Sequence, residues 1–409
     1  MCVNRKYAMN VKLILVSFFA FLFSGCTLIR VLNVVNTKAI TEKDYYYEIP
    51  FETRDNMILV KVNIRDHAYD FIFDTGAFTV LSDQITDNLK LIRIKGPRIL
   101  DSQGNKESIY FTIPDTLSLG QLQLIKPGCG TFNFSSNQEL SCFSFQGILG
   151  SNVLTHSVCQ IDFTRQLLII AHDIHKVTLP DQAKKIPFRK HITGQPIIDL
   201  KVDGISIRNV IVDYGSGSGF NLASGRLIKK IEKEHQAHAT FKGYNAVGLF
   251  GKKENETYYY HSPDVRLEGV SVEDEMLIIS KEGISTLGVE FLKNYQVTID
   301  FINSFLYLSP VNGEEKEPLS TYGLTPVFSD GKLLVSGLFN PSPAQEAGIK
   351  VGDQILEVDG KDYSTVNPGE YCKILRYGIF SEEKDTVQIK LWTGGNDRML
   401  TLVKKEILK

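Results

Sequence analysis

The stretch YDFIFDTGA, residues 69–77, carries Phe71-Ile72-Phe73 straight into Asp74 and then into Thr75-Gly76-Ala77. A charge at the tip of an apolar strand is rarely left without a partner. A second such tip lies further along: RNVIVDYGS, residues 208–216, runs into Asp213 and continues Tyr214-Gly215-Ser216. The likeness extends outward on both sides. IPF (49–51) and MILVKVNI (57–64) precede the first aspartate, and IPF (186–188) and PIIDLKVDG (196–204) precede the second. Val60, Val62 and Ile64 alternate with Lys61, Asn63 and Arg65, as Ile198, Leu200 and Val202 alternate with Asp199, Lys201 and Asp203. A period of two predicts half-buried strands. Downstream, GILGSNVLTHSVCQIDFTRQLLII (147–170) answers STLGVEFLKNYQVTIDFINSFLYL (285–308). Leu149 and Leu287, Gly150 and Gly288, and Asp162 and Asp300 each stand 138 positions apart, and Asp74 and Asp213 stand 139 apart. A near-constant offset with matching strand pattern means one mainly β unit present twice. Short helices are expected after each aspartate loop, one capped by Ser82 and one by Asn221.

Two such halves, each with an Asp-x-Gly loop after an apolar strand and a later apolar-apolar-Gly segment, resemble an aspartic protease. DTGA with ILG is similar to the retropepsin form, and two lobes in one chain is the pepsin arrangement. The resemblance covers about residues 47–310 and implies a lobe at 47–175 and a second at 183–310. It implies Asp74 and Asp213 as the catalytic pair, in loops formed by Thr75, Gly76, Ala77 and Tyr214, Gly215, Ser216. Leu149-Gly150 and Leu287-Gly288 would pack beneath those loops. It also implies a monomer, since one chain supplies both lobes, and no cofactor. A covering hairpin is expected near LDSQGNKESIYF (100–111), turning at Gln103-Gly104-Asn105, with FKGYNAVGLFGKKENETYYY (241–260) in the equivalent place.

The chemistry explains the pairing. Peptide hydrolysis needs one water made nucleophilic and one carbonyl oxygen protonated. Two carboxylates about 3 Å apart repel by about 5 kcal/mol at an effective dielectric of ~20, so they hold one proton between them. One then acts as base and the other as acid, with neither role fixed to one residue. Tyr214 departs from the small hydroxyl residue the family places there. Either the loop tolerates it, or the second lobe is degenerate and the chain is an inactive peptide-binding scaffold. Asp162 and Asp300 each begin a turn between strands and read as structural.

After SPVNGEEKEPLS, with 311–320 taken as a linker, the pattern changes. SPAQEAGIKVGDQILEVDG (342–360) resembles a PDZ domain of the bacterial type, implying such a domain over 321–409. Pro343 and Gly348 would bracket a short helix, Asp359-Gly360 would make a hairpin turn, and 387–394 would be a closing strand. The resemblance implies capture of a peptide C-terminus by strand addition, with Tyr322-Gly323-Leu324 as the carboxylate loop.

The 409 residues carry a net charge of −2, which argues against a nucleic-acid partner. The sequence has no HExxH helix, no GxSxG elbow, no P-loop and no cysteine–histidine grouping with zinc spacing. Arg5, Lys6 and Lys12 precede the apolar run LILVSFFAFLF (13–23). Its length suits a secretory signal over 1–25 and falls short of the ~20 residues that span a bilayer. LFSGC resembles a bacterial lipobox, with Phe23 in place of the usual Leu. That implies lipidation at Cys26, a short connecting segment over 26–46, and anchoring to a membrane of the bacterial cell envelope. An envelope setting permits disulfides. Cys129 and Cys142 flank a polar loop and either pair or stay free thiols.

Overall fold

The computed structural model describes residues 39–408 apart from 245, 273, 312–317 and 382. The signal segment, Cys26 and most of the 311–320 linker lie outside the described residues. The chain is mainly β.

In each half an antiparallel pair of strands climbs to the aspartate. Met57–Ile64 pairs with His67–Asp74, and Pro196–Val202 pairs with Ile205–Val212. The alternation has the expected effect: Val60, Val62, Ile198 and Val202 are fully buried, while Lys61 and Lys201 stay in solvent. A later strand returns parallel to each aspartate strand. Gly147–Gly150 lies beside 71–74, and Ser285–Leu287 lies beside 210–212. Helix α1 (Asp83–Asn88) follows the first loop, with Ser82 Oγ accepting from the Ile85 amide at 3.3 Å. Helix α2 (Gly225–Lys233) starts on Ser224, not on Asn221. Residues Phe220–Ala223 are instead a strand parallel to Glu275–Ser280, because burying Phe220 and Leu222 outweighs the local capping preference of Asn221. Helix α3 (Val289–Leu292) is a single turn.

The halves meet in a shared antiparallel layer. Val158–Asp162 pairs with Tyr295–Asp300, flanked by Leu167–Ala171 and Phe305–Pro310, with Tyr46–Arg54 and Lys184–Pro187 outermost. At its centre Gln160 faces Thr298, and Gln160 Nε2 donates to Thr298 Oγ1 at 2.9 Å across a separation of 138 residues. That separation equals the repeat offset, so a pseudo-twofold axis passes through this pair. One apolar cluster continues through both halves and includes Val60, Leu149, Val212 and Leu287. Residues 39–46 do not behave as a connecting segment. Ala39, Ile40 and Tyr45 are buried in that cluster, and the Ala39 carbonyl accepts from the Ile125 amide at 2.7 Å. Asp162 and Asp300 cap turns, accepting from the backbone amides of Arg165 and of Ile302 and Asn303.

The C-terminal unit has its own core, with Leu333, Val335, Ile355, Ile389 and Leu391 fully or almost fully buried. Its strands are Leu324–Ser329, Lys332–Asn340, Gln354–Val358, Thr386–Thr393 and Asn396–Val403. Helix α4 (Pro343–Glu346) begins on a Ser342 cap, and α5 (Pro368–Tyr377) on an Asn367 cap. Asp359 and Gly360 both take positive φ, as a tight hairpin turn requires. Leu319–Thr321 pairs with Lys405–Leu408, so the end of the 311–320 segment is strand. Lys332–Asn340 also pairs antiparallel with His238–Gly243, joining this unit to the second half in one sheet.

Candidate active site

Asp74 ends its strand and Asp213 immediately follows its own, so each carboxyl projects from the loop where a strand stops. Asp74 Oδ1 accepts from the Gly76 amide and Asp213 Oδ1 from the Gly215 amide, both at 2.8 Å. The two carboxyls face one another across the loops and are half-buried. Each glycine faces the opposite aspartate. A Cβ on Gly76 would overlap the Asp213 carboxyl, and one on Gly215 would overlap that of Asp74. No other residue permits so close an approach.

Burial raises both carboxyls above the ordinary carboxylate range. Asp74 is raised further because the Asp213 charge sits beside it, while the hydrogen bond from Asp74 partly relieves Asp213. Both acids are thus held toward their protonated forms.

Further contacts hold the loops. Thr75, fully buried, donates from Oγ1 to the Val212 carbonyl at 2.7 Å and accepts from the Tyr214 amide at 3.1 Å. One hydroxyl thus ties both loops. Gln195 Nε2 adds a bond to the Gly76 carbonyl at 2.9 Å. Gly150 and Gly288 pack beneath the loops, against the backbone of 77–79 and the carbonyls of Ser216 and Ser218, where a Cβ would collide. Leu149 and Leu287 are fully buried. The Ala77 carbonyl accepts from the Ser151 amide, and the Ser216 carbonyl from the Val289 amide.

Tyr214 does not reach across as a threonine would. Its ring turns into the core against Phe73 and Phe163, with centroids 5.6 and 6.2 Å away. Burial pushes its phenol far up, and its hydroxyl has no hydrogen-bond partner among the described residues. Tyr214→Phe is therefore expected to raise stability by about 1 kcal/mol, because it removes an unpaired buried hydroxyl and keeps the ring. Urea unfolding reads this directly; a loss of stability would mean that the hydroxyl has a partner. Tyr214→Thr, although closer to the family pattern, would leave a cavity and cost about 3–5 kcal/mol.

Two hairpins meet beside the first aspartate loop. Ile94–Leu100 and Lys106–Thr112 form the first, turning at 101–105. His238–Gly243 and Asn255–Ser262 form the second, whose tip pairs Val247–Gly248 with Gly251–Lys252. The tips touch: Asp101 Oδ2 accepts from the Phe250 amide at 2.9 Å, and Asn105 Nδ2 donates to the Gly251 carbonyl at 3.4 Å. Phe78, beside the first aspartate loop, packs with Ile109, Phe111 and Phe250, so both hairpins reach that loop through apolar side chains.

Helix α5 lies alongside the strand Leu324–Ser329, with the rings of Tyr371 and Phe328 stacked at 5.1 Å. Among the described residues, that strand pairs with Lys332–Asn340 alone, leaving its other edge free of strands. Residues 340–378 match the family model of the PDZ domain. The C-terminal unit holds a PDZ domain. No curated protein matches the chain as a relative. In the PDZ loop the Tyr322 carbonyl accepts from the Ala344 amide, the Gly323 carbonyl accepts from Phe339, and the Gly323 amide donates to Thr321 Oγ1 at 3.0 Å. Leu324 is buried.

Of the two cysteines that the sequence left either paired or free, Cys129 is free and Cys142 is neither free nor joined to Cys129. Cys142 is bonded to Cys372 of α5, not to Cys129. Cys129 and Cys159 are free thiols in the interior, pushed up by burial. Cys129 points into the first half's core, whereas Cys142 sits on a 3₁₀ turn facing the PDZ helix. A partner 230 residues away leaves no local signal. Glu139 and Lys252, which form an ion pair beside this bridge, were equally invisible in the sequence.

Proposed function

We propose that the chain is a peptide hydrolase in which Asp74 and Asp213 share one proton and activate one water. The observation that carries this reading is the convergence of the two carboxyls, each lying directly against the glycine of the opposite loop. The ionised partner takes a proton from the water as its oxygen attacks the scissile carbonyl carbon. The protonated partner gives its proton to the carbonyl oxygen. Collapse of the tetrahedral diol expels the amine, which takes the proton gained from water, while one diol hydroxyl returns its proton to the other aspartate, so the pair again holds one proton. The apolar wall at Phe78, Phe111 and Phe250 suits an extended peptide with bulky apolar side chains.

The PDZ domain serves as a peptide-recognition module. In the proposed arrangement a C-terminal peptide adds along the free edge of Leu324–Ser329 and carries substrates to the cleft. Lipid on Cys26 would hold the protein on the envelope membrane, and one chain would suffice for a complete site. Incubation of the purified chain with an unfolded protein from acid to neutral pH tests the reading. The wild type is expected to generate new termini and Asp74→Asn none. Silence of both throughout that range would favour the inactive peptide-binding scaffold.

A further inference from the structure

The PDZ domain holds the second hairpin from two sides. Its strand Lys332–Asn340 is paired with His238–Gly243, one leg of the second hairpin, with Gly243 opposite Gly337. On the other side, the segment 133–143 of the first half lies between the hairpin tip and helix α5. Asn137 Nδ2 donates to the Gly248 carbonyl at 3.1 Å. Glu139, 6% exposed, pairs with Lys252 at the tip and accepts from the Tyr371 hydroxyl of α5 at 3.3 Å. Next to these residues Cys142 is bonded to Cys372. One short segment thus contacts the tip through two side chains and is covalently fastened to the PDZ helix.

We propose that the Cys142–Cys372 bridge is a thiol-operated latch. While it is closed, α5 and the 133–143 segment hold the hairpin tip down over the aspartate pair; when it is reduced, the tip lifts. The inference concerns regulation of the site assigned above and rests on that assignment for its biological meaning. Cys372 is half-buried and Cys142 buried, which makes Cys372 the more open of the two to an attacking thiolate. A thiolate of a dithiol bonds to Cys372 Sγ, and the sulfur–sulfur bond breaks with Cys142 leaving as a thiolate that takes up a proton. The second thiol of the reductant then displaces Cys372, which is protonated in turn. Two electrons pass to the protein, and the reductant ends as a disulfide. Cys129 and Cys159 take no part, because both are buried thiols held in the protonated form.

A simple brace would leave the native cover unmoved or would loosen the whole molecule; a latch loosens the cover alone. Hydrogen exchange on the full chain, with and without dithiothreitol, separates the two. Bridge opening is verified by alkylation of Cys142 and Cys372. The amides of 247–252 and 101–105 are expected to exchange at least roughly tenfold faster after reduction, with Val158–Asp162 and Tyr295–Asp300 unchanged. The double variant Cys142→Ser, Cys372→Ser should show the fast rates without reductant and no response to it. Asp74→Asn should behave as wild type, so the outcome does not depend on whether the pair cleaves peptides. Unchanged exchange at the tip with the bridge open, or an equal rise across the central layer, would overturn the latch.

Discussion

Replacing Asp74 with asparagine is expected to lower the rate of peptide cleavage by roughly 10²–10⁴-fold or more, the range over which a positioned acid–base group acts. Asparagine keeps the shape and can still accept from the Gly76 amide, but it cannot share a proton with Asp213. Asp213→Asn should be equivalent, because the two acids act as one titrating unit. In the wild type the active form carries one proton. Activity should therefore fall in strong acid as the pair gains its second proton. It should fall again as pH rises through the raised Asp74 ionisation. Stability runs the other way. A carboxyl whose folded-state pKa is raised favours the fold below the ordinary carboxyl range and loses that contribution as pH rises through the raised value. Asp74→Asn removes this loss, so the inactive variant should melt higher than wild type at neutral pH, with the difference disappearing in acid. Parallel pH series of cleavage and thermal melting check both halves of this expectation.

Thr75→Val is expected to have the next largest effect. Valine keeps the volume but deletes the hydroxyl that bonds the Val212 carbonyl and the Tyr214 amide. Both groups would be left in a buried setting without that partner, at about 1–3 kcal/mol each, for a total of roughly 2–6 kcal/mol. Where a second threonine would share this task, Tyr214 points into the core, so Thr75 carries its cross-loop contacts without a counterpart. The same substitution should reduce cleavage more than stability alone explains, because the loops that set the carboxyl pair in place would no longer be tied. Chemical denaturation combined with cleavage rates measured well below the unfolding midpoint separates the two contributions. Thr75→Ser, which keeps the hydroxyl, should recover most of both.

The parts of the molecule legible in the sequence are those written in short-range pattern. The period-two strands, the repeat offset and the small-residue signals at Gly76, Gly215, Pro343 and Asp359-Gly360 all act within a few residues of themselves. The constant offset even anticipates the shared layer, since Gln160 and Thr298 meet at the repeat spacing. What the sequence hid depends on distant partners. Asn221 has the chemistry of a helix cap, yet its neighbours Phe220 and Leu222 are drawn into a strand by the core. Ala39 and Ile40 look like spacer until the floor of the first half closes on them. The Cys142–Cys372 bond, the Glu139–Lys252 pair and the pairing of Gly243 with Gly337 join segments far apart in the chain. No local rule ranks such contacts above their competitors, as the flanking pair Cys129 and Cys142 illustrates.

The central claim is that Asp74 and Asp213 hold one proton in common. Carbon-13 NMR of aspartate side-chain carboxyls, titrated from acid to alkaline pH, tests it most directly. The account predicts one carboxyl signal that titrates well above the ordinary aspartate range in the wild type, disappears in Asp74→Asn, and moves toward lower pH in Asp213→Asn, where the neighbouring charge is gone. If every aspartate in the wild type titrates in the ordinary range, and neither substitution shifts another residue's signal, the two carboxyls do not share a proton and the account is wrong.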